Sequence, residues 1–355
     1  MPATNRRLFL GMAGAASVAA PAVLRAQPAA TWRMVTSWQK NLPGPGVSAE
    51  RLAQRINAMS GGRLRVDVFP AGQIVPAFGV LEAVSKGAAE MGHTASFFWD
   101  GKLPGAALFT TAPYGMGPLG HQTWIEQRGG QALWDELYKP YGVRGLLAGN
   151  TGPSMGGWFR NPVRSLSDIK GLRIRVAGMG GEIYAALGAT PQTIPPGDIF
   201  PALEKGAIDA VELLAPVNDL PLGFYRHAPY YYMPGFNKPN GAGEGLISLA
   251  AFAKLPKDLQ QAVEIACQAE HSAALAEAEQ SNAAALVELV QKGAKITAFP
   301  ADVVAAARAK AKDVLDAKAA KSAIAGKIIA SWREALKAGG AWSRVQAYSE
   351  QALRE

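Results

Sequence analysis

Gly171-Leu172-Arg173-Ile174-Arg175-Val176 resembles an earlier stretch, Gly62-Arg63-Leu64-Arg65-Val66. Phe200-Pro201-Ala202-Leu203-Glu204-Lys205-Gly206-Ala207 likewise resembles Leu81-Glu82-Ala83-Val84-Ser85-Lys86-Gly87-Ala88. In both members of the second pair a helix ends at Lys-Gly-Ala, and a short strand with one acidic residue follows, Glu90 or Asp209. One explanation is coincidence among common strand–helix corners. Two matches in the same order favour the other: two similar α/β lobes with a cleft between them.

The segments around the first match fit such a lobe. Trp32 to Trp38 reads as a strand, and Val47, Leu52, Ile56 and Met59 carry helical spacing. Gly61-Gly62 ends that helix, because glycine adopts the left-handed conformation at a helix terminus. Leu64, Val66 and Val68 alternate as a second strand, a helix is expected near Val75 to Lys86, and Glu90 to Ala95 reads as a third strand. A β-α-β-α-β order implies a parallel, doubly wound sheet. Further on, Leu255-Pro256-Lys257 opens a stretch that runs to about Gln291 without Gly or Pro and is rich in Ala, Glu, Gln and Leu. A helix of that size extends about 50 Å and is expected to run along both lobes. A second helical region is expected from Ala301 to Leu336, with a break at Gly339-Gly340 and a final amphipathic helix from Trp342 to Leu353. Trp332, Trp342 and Tyr348 there either pack on the same molecule or form a partner surface.

The chain has 355 residues, 49% hydrophobic and 18% charged, which suits two folded domains and excludes a disordered chain. Its one cysteine, Cys267, rules out an internal disulfide and reads as a small buried hydrophobe. His93, His121, His227 and His271 are scattered, with no helical zinc spacing. Asn5-Arg6-Arg7-Leu8-Phe9-Leu10, an apolar stretch from Gly11 to Leu24 and Leu24-Arg25-Ala26 have the layout of a twin-arginine export signal, expected over residues 1–26. Its apolar run is roughly 14 residues, against about 20 for a membrane-spanning helix. Removing Arg6, Arg7 and Arg25 takes the net charge from +8 to +5. The remaining basic residues are mixed with acidic ones, and the clustered face needed for nucleic acid is not seen.

No Gly-x-Ser-x-Gly elbow, Walker A loop or strand-linked Gly-x-Gly-x-x-Gly is found, so neither a serine nucleophile nor a nucleotide cradle is indicated. Three clusters stand out instead. Arg173 and Arg175 share one face of a strand, and an arginine at the carboxyl end of a parallel strand is placed to fork onto a carboxylate, or else to form a surface salt bridge. Asn150-Thr151-Gly152-Pro153-Ser154-Met155-Gly156-Gly157 combines glycines with the polar groups of Asn150 and Ser154, as a site or as a plain crossover. Glu212 ends an apolar strand, where it would complete a hard-cation site, meet an arginine or face solvent. Phe97, Phe98, Trp99, Tyr230, Tyr231, Tyr232 and Phe236 either wall a pocket or belong to the core.

Together these segments resemble the extracytoplasmic solute receptors of TRAP (tripartite ATP-independent periplasmic) transporters over nearly the whole mature chain. The carrying stretches are Trp32 to Trp38, Gly72-Gln73-Ile74-Val75-Pro76, Met91-Gly92-His93-Thr94-Ala95, Lys170 to Arg175, Lys205 to Glu212, and Gly223-Phe224-Tyr225 with Tyr230-Tyr231-Tyr232. The nearest branch resembles the 2-oxoacid and lactate receptors.

The resemblance implies a two-lobed periplasmic-binding-protein-like fold that closes on a small organic acid such as pyruvate or lactate and delivers it to membrane permease subunits. It implies no catalysis and no organic cofactor. Residues 27–150 with about 240–285 are expected to form the first lobe and 151–239 the second, with the C-terminal helices of 286–355 packing on both. The family's carboxylate-binding arginine matches Arg175. Asn150, Ser154, Phe98, Trp99 and Phe236 are the other expected ligand contacts. In the branch that binds Na+ or Ca2+ with the acid, the matching cation ligands are the Glu212 carboxylate, the backbone carbonyl of Leu213 and Ser154. Leu213 stands where that branch commonly has Trp, and Ser154 where it has Gln. Members of the branch also dimerise through their C-terminal helices. The rival readings are an exported α/β enzyme acting on a small organic acid, and a receptor serving another transporter or a sensor.

Overall fold

A computed structural model describes residues 30–353; the export signal expected over 1–26 lies outside the described residues. Eleven strands are described in two mixed sheets. In chain order they are β1 (Ala30–Thr36), β2 (Leu64–Phe69), β3 (Met91–Thr94), β4 (Val143–Asn150), β5 (Gly157–Phe159), β6 (Arg173–Arg175), β7 (Thr190–Gln192), β8 (Ala210–Val211), β9 (Tyr230–Met233), β10 (Ala242–Ser248) and β11 (Lys295–Ala298). The first sheet has the order β2-β1-β3-β10-β4 and the second β11-β9-β5-β8-β6-β7.

The two halves share a core of three parallel strands. β1 pairs with β2 and β3, and β6 pairs with β7 and β8, all in parallel. In each half the helix before the third parallel strand ends on Lys-Gly-Ala with the glycine at positive φ, 75° at Gly87 and 69° at Gly206, a conformation glycine adopts without strain. The likeness between Gly62-to-Val66 and Gly171-to-Val176 is offset, however: it matches edge strand β2 with central strand β6. The sheets are also not wholly parallel. β10 pairs antiparallel with β3 and β4, and β5 antiparallel with β8 and β9. These strands come from the crossovers, where the chain passes between halves and returns.

The helix Lys257–Gln291 is 35 residues long and packs on β4, on the helix Pro45–Met59 and on the short helix Pro216–Asp219, so it touches both halves. Its buried Glu270 accepts from Ser48 Oγ at 2.8 Å, Arg51 Nη2 at 2.8 Å and Arg55 Nε at 2.9 Å. This carboxylate is fully hydrogen-bonded and pins the two helices together. Cys267 is buried in the apolar core on the same helix, and burial pushes its thiol up to about 12.

Two features of the tail differ from expectation. β11 joins the second sheet beside β9, in the gap between the two expected helical regions, where no strand was expected. Gly339-Gly340 does not break the last helix, which runs unbroken over Ala323–Ala352. A glycine costs about 1 kcal/mol in a helix interior, too little to end a helix in progress. The break falls at Ala320-Lys321-Ser322, where Ser322 Oγ caps the new helix by accepting from Ala325 N–H at 3.2 Å. Ala301–Ala319 rests on Met179–Ala186 in the second half, whereas Ala323–Ala352 rests on helices of the first. Between them Lys318 is buried, its ammonium 2.5 Å from Asp100 of the first half and 2.5 Å from Glu182 of the second. Among the described residues no helix is long and apolar enough to cross a membrane.

Candidate ligand-binding cleft

β6 is a central strand, so Ile174 is held in the core and the next residue, Arg175, emerges at its carboxyl end between the sheets. Glu212 follows β8 and extends the ladder, its N–H donating to Arg175 O at 2.8 Å. The guanidinium of Arg175 is 1% exposed. Its Nε donates to Ile194 O at 3.0 Å and Nη1 to Glu212 O at 2.7 Å. The planar group is thereby oriented by two carbonyls while one Nη1–H and both Nη2–H have no partner among the described residues. Burial pushes its pKa down to about 10, with Glu212 and then Asp219 acting against the shift, so it remains charged at neutral pH. Arg173, two residues earlier, points to solvent and forms a 2.6 Å ion pair with Asp209; of the two arginines only Arg175 reaches the cleft.

A second cation stands beside it. The Lys238 ammonium lies 2.7 Å from Glu212 Oε1 and donates to the Leu213 carbonyl. Burial lowers its pKa first, Glu212 raises it, and Arg175 lowers it further. Lys238 sits in the loop after β9, pressed onto the crossover: Ser154 N–H donates to Lys238 O at 3.0 Å. Gly235 is required there, because a Cβ would lie 1.8 Å from Ser154 O. Beneath, Asp219 accepts from Trp158 Nε1 and Tyr231 Oη, both at 2.9 Å, and burial lifts its pKa to about 6.

The opposite wall comes from the first sheet. His93 on β3 accepts from Trp38 Nε1–H through Nδ1 at 2.9 Å and donates Nε2–H to Ala148 O at 2.9 Å. Burial lowers its pKa, so the ring is neutral. Phe97 and Phe98 meet at a tilt with centroids 4.5 Å apart, and Phe98 packs on Trp38 at 5.7 Å. Asn150, at the end of β4, accepts from Gly152 N–H at 2.8 Å and donates to Asn240 Oδ1 at 2.9 Å. The halves are latched nearby by Asn218 Nδ2, which donates to Pro43 O at 2.8 Å.

Of the residues singled out from sequence, Arg175, Asn150, Phe98 and Leu213 line the cleft. Glu212 lies behind the wall and is wholly buried. Ser154 does not line it, and its hydroxyl is buried without a partner. Trp99 and Phe236 belong elsewhere. Trp99 is core and donates Nε1–H to Tyr138 Oη at 2.7 Å; Phe236 stacks on Tyr114 at 5.5 Å within the second half's core. Sequence reasoning missed Lys238, Trp38, His93 and Ser48, all of which line the cleft. Lys238 had one visible signal: a lone lysine in Gly235-Phe236-Asn237-Lys238-Pro239-Asn240, a turn-rich stretch with no other charge.

Among the described residues the cleft wall carries Arg175 and Lys238 and no carboxylate. The rest is mostly apolar, including Trp38, Phe97, Phe98, Pro196, Leu213 and Leu214. Such a surface attracts an anionic head and accepts a short apolar remainder.

Comparison with known proteins agrees in fold and family. Residues 38–322 match the family model described as bacterial extracellular solute-binding protein, family 7 (DctP). A monocarboxylate 2-oxoacid-binding periplasmic protein of Nostoc sp. is 36% identical over 322 residues, covering 91% of this chain and 88% of the relative. A TRAP transporter solute-binding protein of Bordetella bronchiseptica superposes with a TM-score of 0.89 at 35% identity, over 92% of this chain and 99% of that one. It is a mixed-occupancy dimer with copurified calcium and picolinate in the occupied site. A TRAP periplasmic solute-binding protein of Pseudoalteromonas atlantica, with bound sodium and pyruvate, gives a TM-score of 0.87 at 34% identity over 90% and 98% of the two chains.

Proposed function

The chain belongs to family 7 of the bacterial extracellular solute-binding proteins, the periplasmic receptors of TRAP transporters, and from that premise we propose that it captures a small monocarboxylate, a 2-oxoacid or 2-hydroxyacid such as pyruvate or lactate. The carrying observation is Arg175, buried, charged and oriented by two carbonyls, with three N–H groups left for an acid. Two parallel hydrogen bonds from one guanidinium suit a single carboxylate. Among the described residues the only other cation on the wall is Lys238, close enough to Arg175 to feel its charge. A second carboxylate at the far end of the acid would meet the apolar wall instead, so dicarboxylates fit poorly. The relative from Nostoc and the pyruvate-bound neighbour support the 2-oxoacid reading.

Binding here is capture without chemistry. The acid enters an open cleft, the halves close over it, and closure is stabilised because the closed form alone contacts it from both sides. Native mass spectrometry of protein purified without dialysis is expected to show one copurified monocarboxylate. Calorimetry is expected to give pyruvate or lactate binding at one site, with succinate at least tenfold weaker. Conversion of the acid during incubation, or preferred binding of succinate, would discard the reading.

We further infer export by the twin-arginine route, on the strength of Asn5 to Leu10, and a homodimer through the last helix. Trp342, Val345 and Tyr348 are 64%, 52% and 74% exposed and follow one another at three-residue steps, which keeps them within a roughly 120° arc. Tyr348→Glu combined with Trp342→Glu is expected to convert a dimer to a monomer in sedimentation without changing acid affinity. A wild-type monomer at the same concentration would remove the dimer.

A further inference from the structure

The cation ligands implied by the resemblance are already occupied by a positive charge of the chain itself. The Lys238 ammonium lies 2.7 Å from Glu212 Oε1 and donates to the Leu213 carbonyl, the two groups expected to hold sodium or calcium. The third expected ligand, Ser154, keeps its hydroxyl buried and off the cleft wall. A calcium ion bound by those two oxygens would sit about 2.3–2.6 Å from each, at the point where Nζ now stands. An ammonium and a metal ion that close would repel strongly in a dry cleft. Lys238 is also not free to withdraw. Its backbone is clamped against Ser154, it is 3% exposed, and its Nζ is held 5.6 Å from the Phe97 ring centroid. The residues present therefore do not fit a metal between Glu212 and Leu213.

We propose that Lys238 replaces the metal in this receptor: its ammonium balances Glu212 and turns its remaining N–H toward the acid, so capture requires neither sodium nor calcium. The neighbours from Bordetella bronchiseptica and Pseudoalteromonas atlantica hold calcium or sodium with their acids; here a side chain supplies the charge. The proposal rests on the reading of the cleft as a carboxylate site, and its test separates the two.

The first arm uses the protein without acid. Elemental analysis and titration with Ca2+ are expected to show no stoichiometric metal and no shift in melting temperature. Lys238→Met is expected to bind one Ca2+ and to melt higher with it. The second arm is pyruvate calorimetry. Wild-type affinity is expected to stay within threefold between chelator-treated choline buffer and buffer with sodium and calcium. Lys238→Met is expected to bind pyruvate about a hundredfold more weakly in the metal-free buffer and to recover on adding Ca2+. A wild-type protein carrying one calcium or sodium ion, or losing tenfold or more affinity on metal removal, would overturn the proposal. If pyruvate fails to bind under every condition, the pyruvate reading falls, and the metal content of the wild type still decides the role of Lys238. That arm does not depend on the variant folding.

Discussion

Arg175→Ala is expected to weaken pyruvate binding by about two to three orders of magnitude, the equivalent of about 3–5 kcal/mol for removing one partner of a buried charged pair. The guanidinium lines the cavity, with Ile194 O holding its Nε and Glu212 O one Nη1–H, which leaves three N–H groups for the acid. An acid seated against Trp38, Phe97 and Phe98 without it would have a carboxylate desolvated and half-paired. Arg175→Lys should recover only part of the loss, because an ammonium cannot reproduce the planar fork. Calorimetry checks this, with circular dichroism and melting to confirm that the variants fold. Affinity within threefold of wild type for Arg175→Ala would remove the arginine from the site.

The second large effect is on stability. Glu244 lies on the interior strand β10 of the first sheet, wholly buried, and among the described residues its carboxyl faces no cation. The polar group that faces it is the Tyr138 hydroxyl, which also accepts from Trp99. Burial pushes the Glu244 pKa up from 4.5 to about 8. The folded chain thus keeps a proton that the unfolded chain loses above pH 4.5. Stability from this group is complete below that pH, falls through the interval, and is lost once the pH passes about 8. At about 1.4 kcal/mol per pKa unit the loss is on the order of 3–5 kcal/mol. Glu244→Gln has no such proton to lose. Denaturant unfolding of both proteins at pH 5, 7 and 9 should show the variant gaining steadily on the wild type as pH rises. Parallel curves would mean that the carboxyl is solvated or paired after all.

What sequence could and could not reveal follows from the range over which each signal acts. The Lys-Gly-Ala corners were legible because a helix terminus needs a left-handed residue at a fixed place. The long helix was legible from its uninterrupted helix formers, and its ends agree with the structure. Strand alternation put Arg173 and Arg175 on one face near the end of a parallel strand, and the family resemblance singled out Arg175. Glu212 was found by its incongruity in an apolar run, but its partner was not. Lys238 lies in a loop without periodicity, and only the tertiary approach of Gly235 to Ser154 brings it to Glu212. The antiparallel insertion of β10 escaped for the same reason, since pairing between distant strands leaves no local mark. Trp99 and Phe236 show the limit of composition: aromatic richness says that a segment is apolar, not which side of a sheet it faces. At Gly339-Gly340 local propensity was overridden by helix continuity.

Lys318 has a consequence for motion. Ala301–Ala319 is seated on one half and Ala323–Ala352 on the other, so parting the halves must bend the elbow at Ala320-Lys321-Ser322. Lys318 rides with Glu182 on the second half, so that bend parts its ammonium from Asp100, 3% exposed, and leaves it with Glu182, 47% exposed. The contact that breaks is the buried one, so opening must rehydrate an ammonium and a carboxylate together, and dissolved salt screens this pair little. The strap thus favours the jaws together, and little of that bias is lost as salt is added.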